Sequence, residues 1–155
     1  MQTMIVCVSV SNGNTRRVAD RMADVLGATV AEPEDVDLDE LAACDLVGFG
    51  SGIYLMQPHR RLRSLIARLP RVDQRPAFVF ATSGSPRLPI LDYLWPTVRA
   101  LRSKGFEVVD TFSCLGLDTV GPLGLVGGIN RGRPNERDLA AAERFARQLG
   151  ERVAV

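Results

Sequence analysis

Apolar positions divide the chain into short continuous runs that alternate with segments of helical spacing. Met4–Val8 is an apolar run of strand length. Val18, Ala19, Met22, Ala23 and Leu26 then recur at helical intervals, and Gly27 closes that helix. Ala28–Ala31 is a short second strand before Pro33, and Asp37–Cys44 reads as a short helix with Asp37 as its cap. Leu46–Gly50 is the third strand. Leu62, Leu65, Ile66 and Leu69 fall on one stripe of the next helix, with Pro70 just beyond it. Arg60, Arg61, Arg63 and Arg68 lie mostly off that stripe and are expected to solvate its outer face. Ala77–Ala81 is the fourth strand. Leu91, Leu94, Val98 and Leu101 mark a fourth helix that Gly105 ends, with Trp95 read as part of its packed side. Phe106–Phe112 is the fifth strand. A last helix, capped by Asn135, turns Leu139, Ala142, Phe145, Ala146 and Leu149 inward.

Strands that alternate with helices form βαβ units, hence a parallel sheet with helices on both faces. The first, third and fourth strands are continuously apolar, as strands buried on both sides are. The second is short and mixed, which suits an edge. The expected fold class is therefore α/β: a three-layer, doubly wound, five-stranded parallel sheet.

Composition narrows this further. The 155 residues suit one domain spanning the whole chain, since domains cluster near ~100–150 residues. With 46% apolar and 24% charged residues, the composition is that of a globular protein. A formal net charge of +1 argues against dedicated nucleic-acid or membrane binding, which usually needs a strong basic excess. Cys7, Cys44 and Cys114 are odd in number and lack CxxC spacing, so neither a disulfide framework nor a zinc knuckle is expected. Cys7 is read as core and Cys114 as structural. His59 is the one histidine, which excludes a multi-histidine metal site, and no metal is expected. No apolar run reaches membrane-spanning length, and a cytoplasmic location is expected.

In doubly wound sheets ligands sit beyond the carboxyl ends of the strands. That directs attention to Ser9–Thr15, Ser51–Pro58, Thr82–Pro89 and Ser113–Pro134. The first segment, S-V-S-N-G-N-T, runs straight into a helix and offers hydroxyls, carboxamides and backbone amides where a helix dipole favours an anion. It has no internal basic residue, which suits a dianionic monophosphate better than a nucleoside triphosphate. An ordinary capped βα turn is the plain alternative. The second segment combines Gly52 with an apolar surface and Tyr54, suited to a flat aromatic ligand or to burial on a partner subunit. The third, T-S-G-S-P, is small and polar and suits amide donation to a ring edge. The fourth is long, glycine-rich and apolar, and is expected to pack on the domain or cover the site. Arg87, Arg131 and Arg133 lie in these segments, where an anionic substrate or redox partner would meet them. His59, beside the second segment, is either a proton donor or a cap or surface histidine.

Competing motifs are absent: there is no GxxxxGK[ST] loop, no GxSxG elbow, and no arginine six places after Cys7. With S-V-S-N-G-N-T at 9–15, G-F-G-S-G-I-Y at 48–54 and T-S-G at 82–84, the chain resembles the flavodoxin family over nearly its whole length. The 48–54 segment with His59 and Leu62, and residues 121–136, are especially similar to a prokaryotic subgroup of flavodoxin-domain proteins.

The resemblance implies strand order 2-1-3-4-5 and a non-covalent FMN. Its phosphate would sit on Ser9, Ser11, Asn12, Gly13, Asn14 and Thr15. Its ring would lie between Ser51, Gly52, Ile53 and Tyr54 on one side and Thr82, Ser83 and Gly84 on the other. The implied function is electron transfer between a reductase and an acceptor, with a redox partner protein or a small-molecule acceptor. Electron-carrier flavodoxins usually sandwich the ring between two aromatics and are strongly acidic. This chain has Tyr54, no aromatic in 82–89, and a charge near zero. Two further readings therefore stand beside the carrier. One is an FMN-dependent oxidoreductase acting on a quinone or a protoporphyrinogen-like substrate. The other is a flavin-free binding module.

Overall fold

The computed structural model describes residues 1–10, 13–84, 92–116 and 132–155. The first half runs β1 (Thr3–Val8), α1 (Asn14–Leu26), β2 (Thr29–Ala31), a 3-10 turn (Pro33–Asp35), α2 (Leu38–Ala43) and β3 (Leu46–Tyr54). It continues with β4 (Gln57–Pro58), α3 (Arg60–Arg68), β5 (Arg75–Ser83), α4 (Trp95–Ser103), β6 (Phe106–Leu115) and α5 (Glu136–Val153). The parallel sheet has the order β2-β1-β3-β5-β6. This is the expected 2-1-3-4-5 order, with the two-residue β4 folded back antiparallel on the end of β3.

Local chemistry explains the helix ends. Gly27 closes α1 with φ 62° and donates its amide to the Ala23 carbonyl. The Asp37 carboxylate accepts from the Asp39 and Glu40 amides at the start of α2. Asn135 and Asp138 form a reciprocal capping box on α5.

Two cores cover the two faces of the sheet. Leu41, Leu62, Leu65, Val98 and Leu101 pack α2, α3 and α4 on one face. Val18, Met22, Leu139, Ala146 and Leu149 pack α1 and α5 on the other. On that second face Phe78 and Phe80 lie across Gly48 and Gly50 of β3, where any Cβ would intrude on the rings. The glycines of β3 thus leave room for two phenyl groups.

Two expectations change. The strands are longer than their apolar runs: β3, β5 and β6 extend to Tyr54, Ser83 and Leu115. Polar and glycine residues are recruited because the neighbouring strand supplies ladder partners, with Gly52 beside Thr82 and Thr82 beside Cys114. Trp95 does not pack into the core. It opens α4 one position away from the Leu94–Val98–Leu101 stripe, is 49% exposed, and lies under the Arg102 guanidinium. One residue along a helix is a rotation of about 100°, enough to turn a side chain from core to solvent.

Candidate functional site

The carboxyl ends of β1, β3, β5 and β6 converge, and four of the segments singled out by sequence begin there. Ser9 follows β1; Ser11 and Asn12 lie outside the described residues. Gly13 adopts φ 67°, a left-handed conformation that glycine takes without a Cβ penalty, and its carbonyl starts α1 by accepting from the Arg17 amide. No carboxylate occupies the first turn of α1. The positive end of the helix dipole is therefore left to whatever anion lies beyond it.

Two contacts tie this helix start to the rest of the sheet. The Thr15 and Thr82 hydroxyls are hydrogen-bonded at 2.8 Å, with the residues 2% and 4% exposed. The Asn14 carboxamide lies against Gly116, where a Cβ would come 2.7 Å from Nδ2. The Gly116 amide in turn donates to the Ser83 carbonyl at 3.0 Å. Nearby, the Ser9 hydroxyl oxygen is buried with no hydrogen-bond partner among the described residues. A buried unpaired hydroxyl costs about 1–3 kcal/mol, so this atom has capacity for a ligand oxygen. Thr3 Oγ1 is in the same condition at the opposite end of β1.

The second segment is a hairpin. Leu55 and Met56 form its tip with φ 50° and 65°, both left-handed, and both side chains are exposed, Leu55 at 97%. Such residues cost about 1–2 kcal/mol each and need a rigid surround. Ser51 provides it: its buried hydroxyl donates to the Gly52 carbonyl at 2.6 Å and accepts from the His59 amide at 2.8 Å. Ser51 therefore bolts the hairpin base to the start of α3. Tyr54 folds back over Gly52, where a Cβ would lie 2.8 Å from its phenol oxygen, with the Val10 backbone close to the phenol. Burial holds the phenol above its ordinary pKa. Its ring meets the His59 ring edge to face at 5.5 Å.

Of the two readings of His59, the geometry is that of a cap. Nδ1 accepts from the Arg61 amide at 3.0 Å. Burial, and then Arg61 and Arg60, hold its pKa below the usual value. Protonation would remove the acceptor and place a cation at a helix N-terminus. For a histidine whose folded pKa is depressed, the unfolded chain takes the proton first. The stabilisation is thus complete above pH ~6.5, the unfolded value, and is lost as pH falls through the folded one. His59→Asn, which keeps a capping oxygen, should show a flatter loss of thermal stability between pH 7 and 5 than the parent. Identical pH profiles would remove His59 from this role.

The remaining candidates divide cleanly. Cys7 is core as expected, and burial pushes both the Cys7 and Cys114 thiols up to about 12, so neither is a ready nucleophile. Arg133 is not available to an outside anion, because its guanidinium is paired with Asp138 of the α5 cap at 2.7 Å. Arg87, Arg131, Ser85–Pro89 and the greater part of Ser113–Pro134, including its expected packing over the site, lie outside the described residues. Sequence reading missed Val10 and Gly116 as members of this cluster. Gly116, immediately after a strand, carried the one available signal; Val10 takes part through its backbone and carried none.

A family model described as a flavodoxin domain matches residues 5–111. The chain is 34% identical over 149 residues to the uncharacterized protein MJ0298 of Methanocaldococcus jannaschii, covering 96% of this chain and 98% of that one. Among solved structures, a flavodoxin from the domain Archaea superposes with a TM-score of 0.74 at 22% identity, with full coverage of both chains. Oxidised Flavodoxin 2 from Bacillus cereus does so with a TM-score of 0.75 at 19% identity, covering 98% of this chain and 99% of that one. At these identities the superpositions establish the fold, while the matched span and the archaeal relative establish kinship: the chain belongs to the flavodoxin-domain family.

Proposed function

We propose that this chain binds FMN non-covalently at the carboxyl ends of β1, β3 and β5 and carries electrons between a reductase and an acceptor. The observation that carries the reading is the buried, unpartnered Ser9 hydroxyl at the mouth of α1, beside a helix start free of carboxylates. Hydroxyl and amide donors without a cation suit a phosphate dianion. Ser9, Ser11, Asn12, Gly13, Asn14 and Thr15 would hold the phosphate. Ser51–Tyr54 and Thr82–Gly84 would flank the ring. The bound flavin supplies the electron-transfer chemistry, and the protein supplies position and the polarity around it.

Within that division of labour, Ser51 keeps the Gly52 carbonyl in place, and the Thr15–Thr82 bond joins the phosphate side of the site to the ring side. Tyr54 is the aromatic available to stack on the ring. Tyr54→Ala should shift the visible flavin band or the reduction potential. An unaltered spectrum and potential would move the stacking role elsewhere.

The decisive test is the visible absorption spectrum of the purified protein before and after adding FMN, with chromatography of what heating releases. Flavin bands and released FMN support the reading. No spectral change on titration would overturn it in favour of a flavin-free binding module. A second reading, an FMN-dependent oxidoreductase acting on a quinone or a protoporphyrinogen-like substrate, draws support from Trp95. That ring faces solvent under Arg102 instead of closing a site. Steady turnover of NAD(P)H with a quinone, exceeding reduction by a ferredoxin reductase, would favour the enzyme over the carrier.

A further inference from the structure

The near-neutral net charge conceals a strong segregation along one helical layer. Residues 32–45 contain Glu32, Glu34, Asp35, Asp37, Asp39, Glu40 and Asp45 and no basic residue. Residues 59–72 contain Arg60, Arg61, Arg63, Arg68 and Arg71, and residues 93–105 contain Arg99, Arg102 and Lys104, with no carboxylate in either stretch. The 3-10 turn and α2 thus form an acidic margin beside a basic α3–α4 face, all packed over the same side of the sheet.

The two faces differ in how far their arginines are paired. On the α1–α5 side, Arg16, Arg21, Arg133 and Arg152 are each bound to a carboxylate, while Arg17, Arg137, Arg144 and Arg147 are exposed without one among the described residues. On the α3–α4 side only Arg61 is, bridging to Glu32 and Glu34. Arg60, Arg63, Arg68, Arg71, Arg99 and Arg102 are exposed, and among the described residues none has a carboxylate partner. Lys104 spends its ammonium on the carbonyls of Ala67 and Leu69 at the end of α3. Solvation alone explains scattered arginines. It does not explain why α3 and α4 carry no carboxylate while α1 and α5 carry Asp20, Asp24, Glu136, Asp138, Glu143 and Glu151.

Between the two basic helices runs an apolar groove of about 390 Å³, floored by Pro58, Ile66, Pro96 and Ala100, with Arg63 on its rim. Its upper mouth is Gln57 and Pro58, the returning arm of the hairpin whose tip exposes Leu55 and Met56. Trp95, half exposed, adjoins Pro96 on the other side. Exposed tryptophan and arginine around an apolar depression are the residue types that carry binding energy at protein interfaces.

We propose that the α3–α4 face is the docking surface for an acidic protein, with the arginines meeting its carboxylates and one apolar side chain entering the groove. The charge decides in favour of a protein. An anionic bilayer or a nucleic acid is an extended polyanion and would meet the acidic margin at 32–45 as well as the basic face; a compact acidic footprint need not. A flat lipid surface also leaves the groove unfilled. The hairpin links the groove to the ends of β3, so a partner seated there reaches the edge of the candidate site. That the partner is a redox protein rests on the proposed electron-carrier function.

The test uses an acidic [2Fe–2S] ferredoxin as the probe, with basic cytochrome c as its opposite. Binding is followed by NMR amide shifts of the full chain at low and physiological salt. Saturable ferredoxin binding is expected, with shifts centred on α3, α4 and the hairpin, at least tenfold weaker at physiological salt and absent for cytochrome c. Arg63→Glu with Arg99→Glu should weaken it at least a further tenfold while leaving the melting temperature and FMN titration unchanged. The more conservative Arg63→Gln with Arg99→Gln should fall between. Equal affinity of the charge-reversed variant and the parent, or no ferredoxin binding at low salt, would overturn the proposal. So would pelleting with phosphatidylglycerol vesicles without ferredoxin binding, or self-association through the acidic margin that the same substitutions abolish. FMN binding without ferredoxin binding sinks this surface alone. Mapped ferredoxin binding without FMN binding leaves the surface standing and sinks the flavin reading.

Discussion

Thr15→Val should weaken FMN binding about 5–150-fold, the consequence of losing a buried hydroxyl worth about 1–3 kcal/mol. Valine matches threonine in shape, so the volume beneath α1 is kept and only the hydroxyl goes. The substitution also leaves the Thr82 hydroxyl, its partner at 2.8 Å, without a mate in a site from which water is largely excluded. Two effects are thereby mixed, and a cycle separates them. Thr82→Val should destabilise the fold by an amount similar to Thr15→Val. The double variant should recover part of that stability, because neither hydroxyl is then stranded, yet should bind FMN no better than Thr15→Val. Isothermal titration with FMN and thermal melts of the four proteins read the two quantities independently. Unchanged FMN affinity in Thr15→Val would take this residue out of the phosphate site.

Gly105→Ala should be the most damaging single-methyl change in the described fold, with a loss of about 3 kcal/mol or more. Gly105 has φ 93°, a conformation that L side chains rarely adopt, and an added Cβ would be driven into the Val72 carbonyl oxygen. That carbonyl cannot step aside cheaply. The Val72 amide donates to the Lys104 carbonyl at 2.9 Å, and the Lys104 ammonium holds the carbonyls of Ala67 and Leu69. Gly27→Ala is the natural control: its φ is 62°, but nothing lies within 4 Å of the added methyl. It should cost about 1–2 kcal/mol, the conformational penalty alone. For a chain of this size 1 kcal/mol corresponds to about 2–4 °C in Tm, so the melts should differ by several degrees. Equal melting temperatures would mean that the Val72 contact relaxes. FMN affinity should survive both changes, since Gly105 sits at the opposite end of the strands from the candidate site.

These expectations show where sequence reading succeeds and where it stops. The order of elements was legible because burial on one helix face or on both strand faces writes a periodicity into a few neighbouring residues. The caps Gly27, Asp37 and Asn135 were legible for the same reason, since each acts within one turn. Strand ends were not. Ser51–Tyr54, Thr82–Ser83 and Cys114–Leu115 are polar, small or mixed, and they become strand only because an adjacent strand supplies ladder partners. Trp95 was misplaced because a spacing argument cannot tell which residue opens a helix, and one position turns it from core to solvent.

By itself the sequence determined the α/β alternation, the parallel sheet, the family, and the four segments at the carboxyl ends where a ligand would bind. The alternation, the sheet and the segments at its carboxyl ends follow from local pattern and from the handedness of βαβ connections, while the family follows from the motifs at 9–15, 48–54 and 82–84. The tertiary structure alone decided that Thr15 meets Thr82, that Asn14 rests on Gly116, and that Tyr54 folds over Gly52. It also decided that six arginines of the α3–α4 layer stand without a carboxylate partner among the described residues, while Arg16, Arg21, Arg133 and Arg152 of the other layer are paired. Such contacts join residues distant in the chain, Thr15 and Thr82 being 67 positions apart. No local period encodes them; they exist only once the strand order has brought those ends together.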